Sequence, residues 1–376
     1  MMASLRRRLL LLAVAAVSLL VGMWAGLSRL GWWVPELATH HPMIHGPLMV
    51  GGFLGIVIGL ERSIALGKGW GYFAPAAAAG GAIIAIIRPN PRLAALAFTL
   101  ASTVLLLVFI ALLRRRCDLA GLVMTSGSVC WLLGNLSWVA DRSIPQLLVW
   151  WIAFPLLMIV GERLELSGVI GLSRLARSLF AIALAPLAVG LALLTVEIDM
   201  ALRLCGLSFL AVGIWLLRFD LARRTIRFAG AHRYTAMSLL LGYLWLVGSG
   251  ALLLAVGADL SGLRYDAFVH ALFLGFVLSM IFGHVPILVP VISGFHLLFS
   301  RFFYLPLVML HVSLVIRIAA DMAEWLPGRS WGALSNVVAL LAFFGVTLRA
   351  VRTSVLAARE SGPAKSMSGT SGGGGS

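Results

Sequence analysis

Apolar runs of about twenty residues recur from one end of the chain to the other, separated by short polar stretches. A helix rises ~1.5 Å per residue, so each run is long enough to cross a ~30 Å hydrocarbon core. Twelve such runs are readable, at 9–28, 44–66, 70–87, 93–113, 119–140, 146–161, 176–196, 200–217, 234–256, 266–292, 303–325 and 331–350. The predicted fold is all-α: a polytopic membrane protein of about 12 transmembrane helices in one bundle. Residues 1–360 form the single helical domain, and 361–376 form a disordered tail. The tail closes on Ser-Gly-Thr-Ser-Gly-Gly-Gly-Gly-Ser, a flexible-linker composition. Arg6, Arg7 and Arg8 precede the first run as in a signal peptide, but no small-residue cleavage site follows, so the run is read as a retained span.

Composition agrees with the pattern. The chain of 376 residues is 61% hydrophobic and 11% charged, which excludes an ordinary soluble globule. Its net charge of +15 would suggest nucleic acid in a soluble protein; in a membrane protein it marks cytoplasmic loops. If the N-terminus is cytoplasmic and the loops alternate, Arg29, Arg88, Arg92, Arg142, Arg203, Arg264 and Arg329 lie outside. Arg317 falls inside a span, and the other 21 of the 29 basic residues lie on the cytoplasmic side. A miscount at any span would scramble this asymmetry downstream, so both termini are expected in the cytoplasm. Cys117, Cys130 and Cys205 have neither disulfide-type nor zinc-type spacing.

The chemistry lies in the histidines. His41 and His45 are four residues apart at the outer mouth of the second run and share a helix face. Glycines 46, 51, 52 and 55 then clear one side of that helix for a ligand or another helix. His270 lies at matching depth in the tenth run. His284 follows 14 residues later, ~21 Å deeper and nearly four straight turns on. His311 comes from the eleventh run, which also carries Arg317. Imidazole ligates haem iron, copper and other metals. The outer group, His41, His45 and His270, is therefore a candidate cofactor site, and His284 with His311 a candidate inner metal site. Each histidine can also serve simply as a polar link between helices, and His40, His232 and His296 are read that way. A buried cation such as Arg317 needs a partner: a haem propionate, Asp321 or Glu324.

Four stretches together resemble the NnrS family of bacterial membrane proteins and, more remotely, subunit I of haem-copper oxidases and nitric oxide reductases. They are His45-Gly-Pro-Leu-Met-Val-Gly-Gly-Phe, Pro155-Leu-Leu-Met-Ile-Val-Gly-Glu-Arg, Leu241-Gly-Tyr-Leu-Trp-Leu and His270-Ala-Leu-Phe-Leu-Gly. Their order and the span count fit along most of the chain. The chain departs from the family at Leu240, where a histidine is common before Leu-Gly-Tyr. His284-Val-Pro-Ile-Leu-Val-Pro is similar to an oxidase copper-ligand segment without its tyrosine. The resemblance implies haem of b type with copper as a candidate second metal, and His45 and His270 as ligands. It also implies Arg163 as a shared polar position and a role in nitric oxide binding, reduction or protection against nitrosative stress. The partners would be the lipid bilayer, a small gaseous or redox substrate and a quinol or cytochrome electron donor. Nucleic acid is not among them. The location would be the bacterial cytoplasmic membrane.

Two functions follow. One is a haem membrane protein, as an enzyme an oxidoreductase acting on nitric oxide or a related small molecule. The other is a cofactor-free transporter or channel whose histidines, with Glu162 and Glu165, line a proton or substrate path. The topology is testable at once. Reporter fusions at Arg115 and Arg224 should both register cytoplasm; a periplasmic signal from either would break the twelve-span count.

Overall fold

Asn90, Asp118 and Ser173 each accept a hydrogen bond from the backbone N–H three residues on, at 3.1, 2.8 and 3.1 Å, and so open three of the helices. Gly67 and Gly294 close two others in the left-handed conformation, with φ of 69° and 72°. The structure is a computed structural model that describes residues 2–32, 42–87, 90–169, 171–294 and 297–360. Twelve helices among these residues are long and apolar enough to cross a membrane, and no strand occurs among them. They are α1 (Leu5–Arg29), α2 (His45–Leu66), α3 (Gly69–Ile87), α4 (Pro91–Leu113), α5 (Leu119–Val139) and α6 (Ile144–Gly168). The others are α7 (Arg174–Leu193), α8 (Ile198–Phe219), α9 (Ala231–Asp259), α10 (Gly262–Val291), α11 (Arg301–Met322) and α12 (Leu326–Leu356). The predicted all-α, twelve-helix fold is the observed one. His40, His41, His296, Arg88 and the predicted tail 361–376 lie outside the described residues.

Most helices pack against their chain neighbours, as short connections require: α3 on α4, α4 on α5, α5 on α6, α7 on α8, α8 on α9 and α11 on α12. The centre is different. The spans with the largest buried shares are α2, α6 and α10, at 61%, 72% and 61%. Both α2 and α10 carry a π-helical stretch just after their histidine, at Leu48–Leu54 and Ala271–Val277. Such wider turns insert a residue and re-aim the side chains around them.

Apolar attraction between helices is weak inside a bilayer, so close backbone contact and interhelical hydrogen bonds must hold the bundle. Asn135 of α5 donates to the Phe98 carbonyl and Ser102 Oγ of α4 at 3.0 and 3.1 Å, and accepts from Trp151 Nε1 of α6 at 3.1 Å. Trp215 Nε1 and Ser208 Oγ of α8 each donate at 2.8 Å to α7 carbonyls. Glycines set the tightest crossing: a Cβ on Gly206 would lie 2.5 Å from Leu254 N and 2.9 Å from Gly250 O. A Cβ on Gly250 would in turn lie 2.8 Å from Gly206 O. Replacing Gly250 by Val should therefore lower the melting temperature of the detergent-purified protein, by about 1–3 kcal/mol of stability. Gly248→Val, where a Cβ meets nothing within 4 Å, should leave it close to the parent. Equal melting of the two variants would show that the α8–α9 contact does not set the packing.

Candidate functional site

A cavity of about 310 Å³ lies among α1, α2, α6, α10, α11 and α12, within the range of small-molecule pockets. Its walls are mostly apolar, with Met23, Met49, Phe53, Trp151, Phe273 and Leu340 among them. His45 and His270 face each other across it. Their ring centroids are 6.3 Å apart and their planes are inclined by only 27°. Both rings are fixed from behind. His45 Nδ1 lies 2.7 Å from the Gly22 carbonyl of α1, and His270 Nδ1 lies 2.8 Å from the Asp266 carbonyl one turn earlier. A carbonyl can only accept, so each Nδ1 carries the proton and donates. Each Nε2 is left with a lone pair, the tautomer a metal ligand needs.

Local sequence explains how His45 reaches its carbonyl. Gly22 and Gly26 are one turn apart on α1. A Cβ at Gly26 would lie 3.1 Å from His45 Nδ1 and 3.2 Å from Cε1, so the imidazole lies flat on the backbone. The glycines of α2 do something else. A Cβ on Gly51 would lie 2.7 Å from the Phe98 ring and one on Gly55 2.6 Å from Trp131; one on Gly52 would lie 2.9 Å from Ser18. These positions admit side chains of α4, α5 and α1, so of the two occupants the sequence allowed, a ligand or another helix, it is neighbouring helices that approach here. Gly275 likewise receives Trp245 of α9.

At one end of the cavity is a charged network. Arg317 grips the Asp266 carboxylate with Nε at 3.0 Å from Oδ2 and Nη2 at 2.8 and 3.1 Å from Oδ2 and Oδ1. Arg329 adds a 3.1 Å ion pair to Asp266 and lies 3.2 Å from Asp321. His270 Nδ1 is also 3.5 Å from Asp266 Oδ2. The partner of Arg317 is thus Asp266 of α10, where the sequence pointed to Asp321, Glu324 or a propionate. Asp321 is engaged by Arg329 instead. Arg29 also lines the cavity.

The other sequence candidates are placed elsewhere. His311 accepts from Trp245 Nε1 at 2.9 Å and its Nε2 is 3.5 Å from Ser279. His284 Nδ1 donates to the Met280 carbonyl at 2.6 Å. Among the described residues no group of three or more His, Cys, Asp or Glu could hold a metal ion. Between His270 and His284 the stretch Ala271–Val277 is π-helical, so the turn count of a straight α-helix does not apply there. Near His284, Arg62 bonds both Glu61 and Glu162. Arg163 makes a two-pronged, buried pair with Asp220 at 2.9 and 3.0 Å, a partner that no local motif signals.

A family model described as "Domain of unknown function (DUF8744)" matches residues 8–352. The chain belongs to this family. No curated protein and no solved structure matches it. The region shared with the family contains every residue of the cavity and of the charged network.

Sequence reading found the two facing histidines and missed what holds them. Gly22-Met-Trp-Ala-Gly26 is a small-x-x-x-small signal that was available in the first span. Asp266, a carboxylate one turn before a buried histidine, was equally visible, but its partners come from two other helices. Removing Arg317 should destabilise the protein, because a buried carboxylate loses its two-pronged partner. Arg317→Ala is expected to cost about 3 kcal/mol. Arg317→Lys should recover only part of it, since an ammonium cannot reproduce the fork. Thermal denaturation in detergent checks this; parental melting of Arg317→Ala would mean that Arg329 alone balances Asp266.

Proposed function

We propose that this chain is a haem-binding membrane protein in which His45 and His270 hold one b-type haem, and that it carries electrons. The observation that carries the reading is the facing imidazole pair with its 6.3 Å centroid separation. Two imidazoles that share one iron through Nε2, each at ~2 Å, have ring centres ~6 Å apart. A bare metal ion needs three or four protein ligands, whereas a haem brings four of its own and asks for two. Two protonated Nδ1 atoms on carbonyls, apolar walls and arginines at one end suit a flat apolar ring with charged propionates. Arg29 is the residue best placed for that charge, since Arg317 and Arg329 already share Asp266.

Such a haem supplies one-electron uptake and release. The chain's own contribution is to fix both rings and to keep water from the cavity with Met, Phe, Leu and Trp side chains. Asp266, through its carbonyl and its carboxylate 3.5 Å away, supports the Nδ1 proton of His270. With His45 and His270 both committed to such a haem, the site would favour electron transfer over direct capture of a gas. The resemblance to the NnrS family supports nitric oxide or a related small redox molecule as the substrate served, and a quinol or cytochrome as donor. The distribution of basic residues supports the bacterial cytoplasmic membrane, with both termini in the cytoplasm. Copper rests on the resemblance alone and does not enter this proposal.

The test is the absorption spectrum of protein purified after expression with haem precursor. A Soret band is expected, lost or strongly reduced in His45→Ala and in His270→Ala and retained in His232→Ala, where the imidazole is exposed. Parental haem content in both of the first two variants would remove the assignment. A colourless parent that also fails to take up added hemin would leave the histidine-lined transporter as the better reading.

A further inference from the structure

A second cavity lies at the opposite end of the bundle. There a pocket of about 740 Å³ opens where α7 begins and α8 ends. Four arginines line it: Arg218, Arg223, Arg224 and Arg227. The carboxylate on its wall is Asp220, which is buried and already committed to Arg163 and to the backbone N–H of Ala222. None of the four arginines has a carboxylate partner among the described residues. Some of the other basic side chains on this side do have partners. Arg62 has Glu61 and Glu162, Arg116 has Asp118, and Arg115 donates to the Leu66 carbonyl at 2.8 Å. The pocket therefore concentrates about four positive charges with no internal counter-charge.

We propose that this pocket seats the phosphate of an anionic phospholipid headgroup. Arginine forks match phosphate oxygens in pairs, and each basic residue near a membrane surface adds about a fivefold preference for anionic lipid. The lipid is favoured over a soluble anion by position. The pocket lies at the ends of two spans, where headgroups sit, and Phe228 on its wall is 59% exposed. An exposed aromatic beside a ring of arginines suits an acyl-chain boundary.

Native mass spectrometry of the full-length protein can test this, with phosphatidylglycerol, phosphatidylcholine and inorganic phosphate as probes. Phosphatidylglycerol should bind preferentially. Its affinity should fall on the order of a hundredfold in the triple variant Arg223→Gln/Arg224→Gln/Arg227→Gln. The charge-matched variant Arg114→Gln/Arg115→Gln/Arg116→Gln should keep parental binding. If the first triple does not fold, Arg224→Gln alone should weaken binding about fivefold. Equal retention of phosphatidylcholine, the same loss in the control triple or unchanged binding in the pocket triple would each overturn the site. Displacement of phosphatidylglycerol by millimolar inorganic phosphate would assign the pocket to a free anion and overturn the lipid.

Discussion

The carboxylate of Asp266 is shared by Arg317 and Arg329, and the geometry of the cavity depends on that sharing. A largely buried carboxylate is strongly stabilised by a close cation, because its desolvation costs several kcal/mol. The pairing therefore ties α10 to α11 and α12 at one level. It also fixes the turn of α10 from which His270 projects, since the same residue supplies the carbonyl that holds His270 Nδ1. Position of the histidine and neutralisation of the charge are one structural fact.

The same constraint governs the rest of the bundle. Several polar side chains buried between helices are held by partners on other elements. Asn135 joins three helices, Asp220 is held by Arg163, and Thr235 of α9 donates to the Gly283 carbonyl of α10 at 2.8 Å. The imidazoles of His45 and His270 line the cavity, and the exposed arginines line the pocket at the far end. Polar groups that line a cavity, unlike those sealed between helices, are within reach of a ligand.

The four motif stretches singled out in the sequence come together once the chain is folded. Trp245 of the third packs on Gly275 of the fourth and donates to His311. Gly242 of the third meets Phe276, Ser279 and Met280 of α10. His45 of the first faces His270 of the fourth. Arg163 of the second anchors α6 to the end of α8. The motifs are thus mutual packing surfaces as well as candidate ligands, centred on the three most buried helices.

The sequence by itself determined the twelve spans and the pairing of His45 with His270 by depth, because run length and the distance of a residue from a span end are properties of the chain alone. It also determined, by count, that alternate loops differ in their content of basic residues. Only the tertiary structure decided that Gly22 and Gly26 support His45, that Arg317 pairs with Asp266, and that Gly51 and Gly55 receive neighbouring rings. It also decided that His311 is taken up by Trp245 and Ser279. Each of these depends on the rotation of one helix against another, and the π-helical turns at Leu48–Leu54 and Ala271–Val277 alter that rotation. The periodicity of an apolar run does not carry that information, because a helix that is apolar on every side shows no preferred face.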